Sequence, residues 1–230
     1  MGVMITIRRM ALGAGFRYLM ESVAAGDGGP DSGSGLTRYY AESGTPPGIF
    51  LGSGLASLGG GRGIREFETV SEEQLWRMLG VMTDPLTGQP VGNEPRAGTK
   101  TAAVAGFDLT FSPPKSVSTV WALADESTRK VIHDCHRRAI DFVLEYAERE
   151  VSHARSGTNG VVQEDLEGVV AVSFTHWDSR AGDPQLHDHV VVWNRACSLS
   201  DGCGERWTAG GCTSRWLPCR RCTRGCYRTT

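Results

Sequence analysis

The nineteen residues from His176 to Asn194, HWDSRAGDPQLHDHVVVWN, hold three of the six histidines in the chain. His187 and His189 stand two apart at the head of the run VVVW. His176 closes a second run of the same character, VVAVSFTHW (169–177). Valine and aromatic residues in such density mark strands. On a strand, residues i and i+2 project from one face, so His187 and His189 share a face, and an adjoining strand brings His176 to it. Three neutral imidazoles aimed at one point form a metal site with coordination positions left over. A single histidine is more often a satisfied core or surface residue. The spacing H-x10-H-x-H across two strand patterns favours the metal.

Outward from this pair, AGFDLTFS (105–112) alternates Phe107, Leu109 and Phe111 with Gly106, Asp108 and Thr110, a strand pattern that Pro113-Pro114 ends. MITIRRM (4–10) reads as a further short strand, GFRYLMESVA (15–24) as helix-like, and ARSGTNGVVQED (154–165) as a turn or hairpin. In VSEEQLWRMLGV (70–81), Ser71 stands as an N-cap before acidic residues, with Leu75, Met78 and Leu79 on one face. The clearest helix is expected over 127–151, with Ile132, Cys135, Ala139, Phe142, Val143 and Tyr146 as its apolar stripe. Residues 24–63 are rich in Gly, Pro and Ser and read as loop, apart from the island LTRYYAESG (36–44). Mixed helices and adjacent strand pairs predict an α+β fold, a central antiparallel sheet with helices packed on one side.

A chain of 230 residues, 40% hydrophobic and 22% charged, suits one large globular domain or two small ones. No apolar run approaches the ~18 residues of a membrane span. The apolar run after Arg8-Arg9 is too short for a secretory signal and is broken by Arg17. The expectation is a cytoplasmic protein without membrane insertion. The formal net charge of −2 means that a nucleic-acid partner would be engaged through a local basic face or a metal. Lys115, just past the 105–112 strand, and Arg180, between the histidines, are candidate phosphate contacts.

The C-terminal segment is different in kind. Six of the seven cysteines fall between Cys197 and Cys226, and residues 203–230 contain no Val, Ile, Phe, Met, Lys or Asp. Cys219-x2-Cys222-x3-Cys226 invites a zinc-knuckle reading. The composition instead matches a GC-rich gene read in a shifted frame. If one base is lost after Gly202, each visible Cys or Trp requires a true codon ending in TG, hence Leu, Val or Met. Cys212, Trp216, Cys219, Cys222 and Cys226 then mark apolar positions at helical spacing. The expected organisation is a domain over 1–202, incomplete at its C-terminal end, and a frame-shifted, non-native tail over 203–230.

Three segments together, GFDLTFSPPKSVS (106–118), HWDSRAGDPQLHDHVVVWN (176–194) and the tyrosines near the N-terminus, resemble the relaxase domain of conjugative plasmids of the TrwC/TraI (MobF) family. The resemblance implies the fold of HUH relaxases and rolling-circle initiators. It implies an enzyme that nicks single-stranded or hairpin DNA at a plasmid transfer origin, a tyrosine attacking the scissile phosphate and becoming joined to the 5′ end. By motif, His176, His187 and His189 would hold one divalent metal ion (Mg, Mn or Zn), and Asp108 would be the acidic residue beside it. The family's two tyrosine groups correspond to Tyr18 and to Tyr39-Tyr40, with Tyr18 favoured as nucleophile. The residue between the paired histidines, hydrophobic in the family, is Asp188 here, and its side chain should point to the opposite face. Other conjugation proteins are implied as partners. The competing readings are a non-catalytic, metal-containing DNA-binding protein and an inactive relaxase remnant.

Overall fold

The computed structural model describes residues 2–20, 46–91, 103–150, 153–156, 162–179, 181–198 and 202–203. Its centre is a five-stranded sheet built from β1 (Met4–Ala11), β2 (Ile49–Leu51), β3 (Val104–Ser112), β6 (Ala171–Asp178) and β7 (Pro184–Trp193). The spatial order is β1-β3-β7-β6-β2, and every neighbouring pair is antiparallel. β4 (His153–Ser156) and β5 (Val162–Asp165) form the separate hairpin expected from ARSGTNGVVQED. β8 (Cys197–Ser198) and β9 (Gly202–Cys203) make a short second pair. β7 occupies the middle of the main sheet, with covered faces on both sides. This is why its sequence runs VVVW without polar alternation: Val190, Val191, Val192 and Trp193 are all buried.

Direct cross-strand partners share a face, so the register sorts the sheet into two surfaces. One carries Arg8, Asp108 and Val191 in a row, then Thr6, Thr110, His189 and Phe174, then His187 opposite His176. The other carries Leu109, Phe111, Val190, Val192 and Ala171, which pack with Leu51, Ile140 and Leu144 into one hydrophobic core. The helices of that side are α2 (Lys115–Leu123) and α3 (Glu126–Glu150). The first face is covered by a second core, in which Phe16 and Leu19 of a 3-10 helix (Ala14–Leu19) meet Leu75, Met78, Phe174, Val191 and Trp193. Each such side chain withdrawn from water contributes about 1.5–3 kcal/mol, and the cover thereby holds the N-terminal segment against the sheet.

The capping prediction at Ser71 holds. Ser71 accepts from the Gln74 amide while the Gln74 side chain accepts from the Ser71 amide, a reciprocal box that starts α1 (Glu72–Leu75). The segment continues as a π-helical turn, Trp76–Gly80, whose Met78 and Leu79 are buried. The helix-like N-terminal run is a short 3-10 helix as far as Leu19.

The long helix is present, and Ile132 and Val143 of its expected stripe pack against the cores, but the fully buried row is a different one. Its buried residues are His136, Ile140, Leu144 and Ala147, whereas Phe142, Tyr146 and Cys135 are exposed. The physical reason is His136. It belongs to the inward i, i+4 row because its partner there is Asp188, and a buried polar pair can occupy a core position that composition assigns to solvent.

Candidate metal centre and tyrosine

The register that sorts the sheet also builds the site. His176 on β6 stands directly opposite His187 on β7, and His189 follows on the same face. The three rings meet edge to face with centroids 5.2 to 5.3 Å apart, and one nitrogen from each lies within 4.8 Å of the others. Hydrogen bonding fixes the tautomers. His187 Nδ1 donates to the Gln185 carbonyl at 2.8 Å, and His189 Nδ1 donates to the Asp108 carboxylate at 2.9 Å. His176 Nε2 donates to the Leu19 carbonyl at 3.0 Å, and its Nδ1 is buried with no hydrogen-bond partner among the described residues. Carbonyl and carboxylate oxygens only accept, so the bonded nitrogen carries the proton and, in a neutral ring, the other nitrogen keeps its lone pair. Burial lowers the pKa of His176 to about 4, assisted by the neighbouring imidazoles, and burial also lowers that of His187. Both rings are neutral at physiological pH, the form that binds metal. The donor set fits one divalent ion.

Tyr18 sits on the last turn of the 3-10 helix, between the buried Phe16 and Leu19. Its hydroxyl donates to Asp108 Oδ2 at 2.6 Å, and its ring meets the edge of His189 with centroids 5.6 Å apart. Asp108 therefore joins the tyrosine to the histidine group and is itself almost fully buried. Burial raises the phenol pKa of Tyr18 first, and the hydrogen bond and negative charge of Asp108 raise it further. The charge of Arg8 acts in the opposite sense. Without a further cation the phenol stays protonated, and the carboxylate beside it is placed to accept its proton.

Behind the site, Asp188 points to the opposite face, as expected from strand alternation. His136 Nε2 lies 3.0 Å from Asp188 Oδ2, and both side chains are buried. Burial pushes the Asp188 carboxyl up; the hydrogen bond and charge of His136, with smaller help from Thr175 and Arg137, outweigh it and hold the carboxyl below its ordinary value.

Of the residues selected from sequence, the structure brings Tyr18, Asp108, His176, His187 and His189 together. Lys115 starts α2, and its ammonium is engaged by Asp183 at 2.8 Å. Tyr39, Tyr40 and Arg180 lie outside the described residues. Two participants escaped the sequence reading. His136 looked like any polar helix residue, since its partner is distant in the chain. Arg8 was visible only as part of a basic pair, because the register that sets it opposite Asp108 is a tertiary fact.

An antiparallel sheet bearing a three-histidine centre, with a tyrosine hydrogen-bonded to the carboxylate that orients one histidine, defines a metal-centred site of the HUH kind. The model of the TrwC relaxase family matches residues 12–216, and the chain belongs to that family. It is 44% identical over 90 residues to the multifunctional conjugation protein TraI of Escherichia coli, a match covering 39% of this chain and 5% of TraI. TraI of Escherichia coli strain K12 is 42% identical over the same length and coverage. A copper-bound structure of the conjugative relaxase TrwC in complex with oriT DNA superposes with a TM-score of 0.60 at 28% identity, covering 89% of this chain and 61% of that one. A metal-bound TrwC–oriT structure gives 0.59 at 26% identity, covering 88% and 61%. The chain thus spans a small part of the curated relatives and about three-fifths of these structures. Among the described residues, no helix is long and apolar enough to cross a membrane.

Proposed function

We propose that this chain is a relaxase: a metal-dependent DNA strand transferase that nicks single-stranded DNA at a transfer origin. The observation that carries the reading is the hydrogen-bonded row Tyr18–Asp108–His189 beside two further histidines. The Tyr18 hydroxyl is the nucleophile. As its oxygen bonds to phosphorus, its proton passes to Asp108, the bond from phosphorus to the 3′ oxygen breaks, and that oxygen leaves to become a 3′ hydroxyl on taking up a proton. The DNA 5′ end remains as a phosphodiester on tyrosine, so bond energy is conserved and the nick can be resealed. A divalent ion held by His176, His187 and His189 would supply positive charge to a non-bridging phosphate oxygen. Asp108 also holds His189 in the tautomer that leaves Nε2 free, the usual function of a carboxylate behind a metal ligand.

The relatives named above are, by description, a conjugation protein and relaxases in complex with oriT DNA. In this chain the same reading makes Tyr39 and Tyr40 candidates for a second strand transfer, and Lys115 and Arg180 candidate phosphate contacts. It gives the protein other conjugation proteins as partners and the cytoplasm as its compartment. We infer further that residues 203–230 are a frame-shifted tail, on the codon argument above, which sequencing the gene around codon 202 tests directly.

The test of activity is a denaturant-resistant protein–DNA adduct. The chain is incubated with Mn²⁺ and a randomised single-stranded DNA library, and the modified peptide is located by mass spectrometry. An adduct on Tyr18 that disappears in Tyr18→Phe supports the reading. An adduct that persists after Tyr18, Tyr39 and Tyr40 are all changed to Phe refutes tyrosine catalysis. Thermal unfolding with and without Mn²⁺ reports the metal separately: at a hundredfold excess over Kd the ion should stabilise the fold by about 2.7 kcal/mol.

A further inference from the structure

Arg8 lies on the site-bearing face of the edge strand β1, directly opposite Asp108 in the register. Directly paired residues have Cβ atoms about 5 Å apart, so an unengaged arginine beside a buried aspartate would ordinarily close an ion pair. Here it does not. Asp108 Oδ1 accepts from His189 at 2.9 Å, and Oδ2 accepts from Tyr18 at 2.6 Å and from His189 at 3.0 Å. Both oxygens are committed, and Arg8 is exposed with no ion pair among the described residues. Lys115, the cation the sequence suggested, is by contrast neutralised by Asp183.

Resting on the relaxase reading, we propose that Arg8 is a phosphate-binding residue of the site, contacting the backbone of the DNA strand presented to Tyr18. A guanidinium offers paired donors that match two phosphate oxygens. From an edge strand it can engage a chain lying along the exposed stretch of β1, beside the second core, without burying its own charge. The neighbouring residues of that face, Thr6 and Met4, are exposed as well, which leaves a lane along β1 in which a single strand can lie. The alternation of β1 supplies an internal control. Arg9 is equally exposed, but it is paired with Phe107 and so projects from the other face of the sheet.

The experiment measures binding of a fluorescein-labelled oligothymidylate, about 12 nucleotides long, to the full chain at fixed Mn²⁺ concentration over a KCl series. Arg8→Gln should weaken binding about tenfold at low salt and reduce the slope of log K against log salt by about 0.7, the value for one phosphate contact on a single strand. Arg8→Lys should keep the slope and recover part of the affinity. Arg9→Gln removes the same charge from the opposite face and should leave both quantities unchanged. Equal effects of Arg8→Gln and Arg9→Gln, or no effect of either, would overturn the assignment while leaving the relaxase reading intact. Failure of the unsubstituted chain to bind the oligonucleotide at any salt would sink that reading and the assignment of Arg8 together. Both arginines are exposed, so matched circular dichroism melts verify that the fold is common to all variants.

Discussion

Replacing Asp108 by asparagine separates the two functions that one carboxylate performs. The shape is kept, but two acceptor oxygens become one acceptor and one donor. In the native site two donors converge on the carboxylate, the Tyr18 hydroxyl at 2.6 Å and His189 Nδ1 at 2.9 and 3.0 Å. An asparagine can satisfy only one of them as before. If its oxygen turns to Tyr18, its amide faces His189 Nδ1, and the ring relieves the conflict by moving its proton to Nε2, the nitrogen left free in the native tautomer. Metal affinity then falls about 10–100-fold. If its oxygen turns to His189, the metal group survives and the phenol loses the base that takes its proton, a loss of about 10²–10⁴ in rate.

Two assays distinguish these outcomes. Calorimetric titration of the metal-free protein with Mn²⁺ gives Kd, and single-turnover adduct formation at saturating Mn²⁺ gives the rate. In the first case Kd rises and the rate stays low even at saturating metal, because an amide oxygen cannot take the phenolic proton; in the second the rate falls and Kd is unchanged. Wild-type Kd together with wild-type rate would refute the assignment of Asp108 to either function, whatever the geometry suggests.

Two further outcomes follow from the buried histidines. His136→Ala leaves Asp188 charged and unpaired in the core, and should cost about 3–5 kcal/mol in urea unfolding; combining His136→Leu with Asp188→Val should recover most of it. A cost for His136→Ala below about 1 kcal/mol would show that the pair is not coupled as its geometry implies. The second concerns pH. His176 has a folded pKa of about 4, below its ordinary 6.5. The unfolded chain therefore binds the proton more readily, so the stability tied to neutral His176 is present above pH 6.5 and is lost as pH falls toward 4, about 3 kcal/mol in all. Metal-free unfolding of the chain and of His176→Gln across this range checks it: the two curves should converge on acidification, and parallel curves would reject the argument.

The site was largely legible because strand alternation is a local rule. His187 and His189 share a face by spacing alone, and the run VVAVSFTHW identified the strand that adds His176. The opposite orientation of Asp188 followed from the same rule. Asp108 was different. Its strand was clear from Phe107, Leu109 and Phe111, but the proximity of that strand to the histidines came from a family resemblance, since pairing across about eighty residues leaves no periodic trace. The misread face of the long helix has a related cause. Hydrophobicity drew the stripe through Phe142 and Tyr146, and the row that packs inward contains His136, whose burial depends on a carboxylate some fifty residues further along the chain. Local patterns predict which residues can be buried; a polar pair in a core is decided by tertiary register.

The arrangement locates the tyrosine through the same residues that would hold the metal. The Leu19 carbonyl is fixed by His176, and the Tyr18 hydroxyl is fixed through Asp108 to His189. Two histidines on two strands thus set the position of one short 3-10 helix, whose own apolar anchors are Phe16 and Leu19. At the rear, Asp188 ties the strand between His187 and His189 to α3 through His136. Rotation of β7 about its axis would splay the two ligands, and it would also break this buried pair. A hydrophobic residue at position 188 resists the same motion only by packing. On the proposed reading, nucleophile, base and ligands are therefore assembled before any ion or phosphate arrives, which is where a site of this kind gains most: a reacting oxygen held near its target does not have to be ordered during the reaction.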